Sequence, residues 1–273
     1  MKLAQSLLFI TSVSVLSGCI VVANPSYANY HEQQELVINA QTLSALSVEA
    51  GAGSLVISGA DHVSEITVVA DIYMEKNNAD NYQLTLTGSG DSATLIAKVN
   101  NSTGFWRGDS PHIDIKVTMP REMMLTVDDG SGTTKISNIN GAVEVTDGSG
   151  ELSISGIKGD LVVKDGSGGL YVSEVTGNVS IDDGSGALEL SEVGGNVDID
   201  DGSGAIVVKH IAGGAVIEDG SGDLTVRNVE GIITIDDGSG DIDVEQAGGL
   251  KIIDSGSGGL RVDKVKGGFA IDS

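Results

Sequence analysis

A tetrapeptide with a fixed step constrains this chain more than any other feature. Asp-Gly-Ser-Gly, in one copy Ser-Gly-Ser-Gly, occurs eight times, its first glycine at positions 130, 148, 166, 184, 202, 220, 238 and 256, always 18 residues apart. An uninterrupted period of this kind marks an array of stacked units, each in contact only with its neighbours. Each repeat is numbered here from the residue before that glycine. Position 6 then runs Thr134, Leu152, Leu170, Leu188, Ile206, Leu224, Ile242, Leu260, and position 8 is Ile, Val or Leu in every copy. Position 17 is Val or Ile from Val145 to Ile271, position 11 is Ile, Val or Ala, and position 15 is apolar except at Lys251.

Alternation at period two predicts two short strands per repeat with one face buried, and β-branched residues dominate as strands prefer. Turns fall between the strands. Position 2 is glycine, and a second unbroken glycine column at position 13, from Gly141 to Gly267, marks a tight turn or a close approach of backbones. One coil is therefore strand, turn, strand, turn, and eight coils stacked about 4.8 Å apart make a rod of roughly 35 to 40 Å. The expected fold class is all-β: a single-stranded parallel β-helix, or β-solenoid, of 18-residue coils, right-handed by the crossover preference. At Lys251 either the strand shifts so that Leu250 and Ile252 turn inward, or a charge is buried for a purpose.

Upstream of the array the chain is organised differently. Residues 1–18 have a basic start at Lys2, an apolar run from Leu7 to Leu16 and small residues before Cys19, which is a secretory signal too short to span a bilayer. Leu16-Ser17-Gly18-Cys19 resembles the lipobox of bacterial lipoproteins, which implies a lipid on Cys19 and, with Ile20 following, an outer-membrane destination. Cys19 is the sole cysteine, so no disulfide competes for its sulfur, and several acyl chains make a stable anchor. The alternative is cleavage after Ser26-Tyr27-Ala28 and a soluble product. Residues 19–34 read as a tether. Residues 35–125 read as irregular β coils that cap the array, with strand-like runs at 54–58, 66–73, 82–87, 93–99 and 113–119. Val48-Glu49-Ala50-Gly51-Ala52-Gly53 aligns with Ile199-Asp200-Asp201-Gly202-Ser203-Gly204, so a degenerate coil is expected there. Residues 126–273 are the eight regular repeats.

Composition excludes several roles. A net charge of -24 opposes binding to nucleic acid, which needs clustered Lys and Arg. Aromatic residues at 3% argue against a groove that stacks on sugar rings. The four histidines show no metal-ligand spacing, and the Gly-Ser-Gly turns are not nucleophile elbows, because a nucleophile needs one unique base while this turn recurs. No enzyme is expected; a β-helical polysaccharide-active enzyme is the distant alternative. Arg107-Gly108-Asp109 matches the integrin-recognition tripeptide and reads as a polar hairpin tip.

The strongest chemical feature is acidic. Position 1 is Asp129, Asp147, Asp165, Asp183, Asp201, Asp219 and Asp237, and position 18 adds Asp182, Asp200, Glu218 and Asp236 among others. One reading makes the position-1 column a set of calcium ligands, since Ca²⁺ takes carboxylate and backbone oxygens. The other has each Asp accept backbone N–H bonds within its own turn, with its charge in water.

From Ile113-Asp114-Ile115-Lys116-Val117-Thr118-Met119-Pro120 through the Asp-Gly-Ser-Gly turns, the chain resembles bacterial adhesin-like β-strand-repeat domains, related to the head domains of autotransporter adhesins. The resemblance covers roughly 35–273 and implies a right-handed solenoid without catalytic residues to carry over. The expected function is a non-enzymatic envelope lipoprotein whose solenoid is a structural or adhesin-like surface for an envelope or surface protein or a glycan. A calcium-dependent binding module is the alternative.

Overall fold

The structure, a computed structural model, describes residues 28–100 and 110–271. The export signal, Cys19 and the Arg107-Gly108-Asp109 tripeptide lie outside the described residues. Strands and turns make up nearly all of them, and no α-helix is present among the described residues.

Each regular coil contributes a shorter strand over positions 15 to 1 and a longer one over positions 4 to 11, as in Val143–Asp147 and Gly150–Ile157. Equivalent residues of successive coils pair in parallel: Val145 with Val163, Leu152 with Leu170. Shorter strands pair with shorter and longer with longer, until Leu224–Asp237 and Ile242–Asp254 each run through both stacks, which makes a parallel β-solenoid of eight coils at the expected period. Position 6, 8, 11, 15 and 17 side chains fill the space between them. Leu152, Ile154, Ile157, Val145 and Val163 are all at most 1% exposed. Each such side chain stabilises the coil by roughly 1.5–3 kcal/mol on burial.

Two columns of unusual backbone set the corners. Position 4 carries the positive φ that glycine allows, 137° at Gly150 and 141° at Gly168, and a Cβ on Gly168 would lie 1.6 Å from the Gly150 carbonyl oxygen. Position 13 has ordinary φ but the same crowding: a Cβ on Gly159 would lie 2.6 Å from the Gly141 oxygen. The close approach expected at position 13 is therefore present, while the left-handed turn belongs to position 4. Position 10 bends the longer strand through the left-handed region with Asn138, Glu174, Glu192, His210, Asn228, Gln246 and Lys264, at φ between 57° and 62°. That bend returns position 11 to the core.

Lys251 is explained by a slip of register. Thr234 pairs with Lys251 and Ile235 with Ile252, so Leu250 and Ile252 fill the core at 2% and 0% exposure while Ile253 stands 42% exposed. The local shift is the reading that holds, and Lys251 faces outward.

The N-terminal part contains β1 (Tyr30–Asn39), β2 (Ala45–Ala50), β3 (Ala52–Ala60), β4 (Glu65–Met74), β5 (Tyr82–Ser89), β6 (Ser92–Val99) and β7 (His112–Pro120). β8 (Met124–Asp129) and β9 (Ser131–Ile139) then open the regular coils. β1 starts at Tyr30, inside the stretch read as tether. The β2–β3 layer is a degenerate coil, as its alignment implies, with Val48 beside Val127 and Gly53 beside Gly132. Its position in the stack is out of chain order. On the other side of β2–β3 lies a second degenerate layer, β6–β7, with Val48 beside Leu95 and Leu55 beside Ile115. Antiparallel strands close this end: β5 on β6, β4 on β7 and β1 on β4.

Candidate functional site

The position-1 aspartates face the core. In the strand Val143–Asp147, burial alternates so that Val143, Val145 and Asp147 point inward and Glu144 and Thr146 outward. The same parity puts Asp129, Asp147, Asp165, Asp183, Asp201, Asp219 and Asp237 inside, none more than 4% exposed. This corrects the expectation of a solvated charge. Of the two acidic columns the outward one is position 18, where Asp182, Asp200 and Glu218 are exposed. Asp147 pairs in register with Asp165, Asp183 with Asp201, and Asp201 with Asp219, so the carboxyls form one continuous file.

One oxygen of each central aspartate serves the turn. Oδ1 of Asp165, Asp183, Asp201 and Asp219 accepts the backbone N–H of the serine two residues on, at 2.9–3.2 Å. That is the turn-shaping role read from the sequence. The other oxygen, Oδ2, has no hydrogen-bond partner among the described residues in any of the four; in Asp147 and Asp237 neither oxygen meets full hydrogen-bond geometry, although the backbone N–H groups of Ser149 and Ser239 act on them. Asp129, at the start of the file, differs because Thr134 Oγ1 donates to its Oδ2 at 2.7 Å. Below it, Ala50 occupies the equivalent place in β2 and ends the acidic column.

Seven carboxylates about 4.8 Å apart cannot all stay ionised without penalty, each adjacent pair costing roughly 3.5 kcal/mol at an effective dielectric of 20. Burial, reinforced by the neighbouring aspartates, raises Asp147, Asp183, Asp201 and Asp219 to about 6 from an ordinary 3.8. Burial also raises Asp129, Asp165 and Asp237. Among the described residues, no group of three or more His, Cys, Asp and Glu side chains is arranged to hold one metal ion.

Two further surface features depend on the fold. Shallow grooves of about 530 and 520 Å³ run along the corner of positions 10 to 12, one lined by Asn138, Lys158, Glu174 and Glu192, the other by His210, Asn228, Gln246 and Lys264. On the outer face of the N-terminal sheet, His31 and His112 stack on either side of Tyr73, with ring centroids 4.6 Å apart, and His31 Nε2 lies 2.9 Å from Asp71 Oδ1. The sequence gives no sign of this row, because only the pairing of β1, β4 and β7 brings such distant residues side by side.

The fold defines the chain as a parallel β-solenoid repeat protein. No family model matches it, and no curated protein does. Among solved structures, a "putative lipid binding protein" from Parabacteroides distasonis is similar over 90% of this chain and 98% of its own, at 14% identity and a TM-score of 0.47. A "putative adhesin" from Bacteroides fragilis is similar over 88% and 97%, at 14% identity and a TM-score of 0.35. A "putative cell adhesion protein" from Clostridium sporogenes is similar over 86% and 100%, at 11% identity and a TM-score of 0.32.

Proposed function

We propose that this chain is a non-enzymatic envelope lipoprotein, held at the outer membrane by lipid on Cys19, whose solenoid presents an adhesin-like interaction surface. The observation that carries the reading is the corner groove, in which polar side chains repeat coil after coil at a fixed spacing. A repeating row of contacts suits an extended partner, whereas catalysis needs one unique constellation of groups. The anchor rests on the lipobox residues, and Cys19→Ser is expected to abolish fatty-acid labelling; unchanged labelling would refute it.

The surface is tested with the full chain made lipid-free by Cys19→Ser, presented to purified envelope glycans and envelope proteins. Saturable binding that Glu174→Lys with Glu192→Lys removes is the expected result. Turnover of a polysaccharide, or binding indifferent to those substitutions, would overturn the reading.

A further inference from the structure

The aspartate file carries an inference that the proposed surface does not use. Its unpartnered Oδ2 atoms belong to side chains at least 96% buried, in a space with no room for a solvated counter-ion. Among the described residues no cation faces them. From their own strands the flanking position-18 residues, such as Asp182, Asp200 and Asp236, point outward and are mostly acidic; the basic one, Lys164, is exposed. Across the core, position 6 offers Thr134 and then only Leu or Ile, such as Leu188 and Ile206. Beyond the start of the file stands Ala50, and at its other end Asp254, exposed and in register with Asp236, adds negative potential at Asp237.

A buried carboxylate oxygen without a donor, set in register above another, has one small ligand that satisfies both at once. We propose that the column is a proton ladder: in mild acid, each protonated aspartate donates its one O–H to a carboxylate oxygen of the rung above or below, joining neighbouring coils along the rod axis. The ligand is the proton itself. A file of alternate acid and carboxylate removes like-charge contacts, and each acid–carboxylate pair shares one proton between two otherwise idle Oδ2 atoms.

The sign follows from the direction of the shifts. Folding raises these carboxyls from 3.8 to about 6, so the folded chain binds more protons than the unfolded one between those values. The ladder's contribution to stability is complete below the lower value and is lost as pH rises through the upper.

The deciding measurement is a carboxyl NMR titration of the full chain labelled at aspartate. The buried set is expected to titrate near 6, and Asp201→Asn to lower the midpoints of Asp183 and Asp219, because an amide donates to both neighbours and carries no charge. Asp200→Asn, on the outer face, is expected to leave those midpoints in place. The melting temperature should be several degrees higher at pH 5 than at pH 8, and Asp201→Asn should narrow that gap. Midpoints at ordinary carboxyl values, or neighbours indifferent to Asp201→Asn, would overturn the ladder. So would a calcium-induced rise in melting temperature at neutral pH, since an ion would then fill the file. Asp147→Asn gives the same reading at another rung should Asp201→Asn fail to fold.

Discussion

Thr134 Oγ1 donates to Asp129 Oδ2 at 2.7 Å, and Thr134 is the one polar residue in a column that is otherwise Leu or Ile. The first rung thus has a side-chain donor on Oδ2, where the Oδ2 atoms of the later rungs have no partner among the described residues. Thr134→Val keeps the shape and removes the hydrogen bond, leaving a buried acceptor unsatisfied. The expected loss is about 1–3 kcal/mol in denaturant unfolding at neutral pH. It should shrink in acid, since burial raises Asp129 and favours its neutral form; an equal loss in acid and at neutral pH would mean the pair is only packing.

Register near Lys251 separates two adjacent isoleucines. Ile252→Asp puts a charge where exposure is 0%, and is expected to cost at least about 3 kcal/mol or to prevent folding. Ile253→Asp, at 42% exposure, is expected to change stability by less than about 1 kcal/mol. Parallel thermal melts of the two variants decide it, and the reverse order would restore the unshifted register.

Glycines at positions 4 and 10 also differ. Gly168→Ala drives a methyl into the Gly150 carbonyl at a φ that L-residues avoid, and is expected to cost more than about 3 kcal/mol. Gly156→Asn sits in a column where Asn138 and Asn228 already adopt the same φ. It is expected to be neutral or to stabilise by up to about 1 kcal/mol, since asparagine tolerates this region and restricts the unfolded chain. Circular-dichroism melts of both variants check the contrast.

Calcium is the remaining occupant read from the sequence. A bound ion needs six to eight oxygens, while the central aspartates have committed Oδ1 to serine N–H groups. Chelator at matched ionic strength is expected to leave the melting temperature unchanged. A site saturated at 100 times its dissociation constant adds about 2.7 kcal/mol, so a chelator-induced drop of several degrees would place an ion in the column.

The regular half of the fold was legible because period and parity are written directly in the residues: Leu152, Ile154 and Ile157 face inward as their spacing implies. The same parity applies to Asp147, two residues beyond Val145, and places it inside against the preference of its charge for water. The slip at Leu250 was readable because a lysine in an apolar column admits few explanations. What the sequence did not convey is long-range. The stacking of β6–β7 beneath β2–β3 joins Leu55 to Ile115, and no local pattern reports such a contact. The left-handed bend at position 10 was equally hidden, since Asn, Glu, His, Gln and Lys share no chemistry that would announce it.

The interleaved start of the stack has a mechanical meaning. Regular coils lie in the order in which the chain makes them, so one can peel from its neighbour and leave the remainder paired. The β2–β3 layer lies between two layers that the chain makes later, β6–β7 on one side and β8–β9 on the other. It cannot slide out while both hold it. A pull on the N-terminal side therefore acts first on β1 and its pairing with β4, and only then on a layer clasped from both sides by segments the chain makes later.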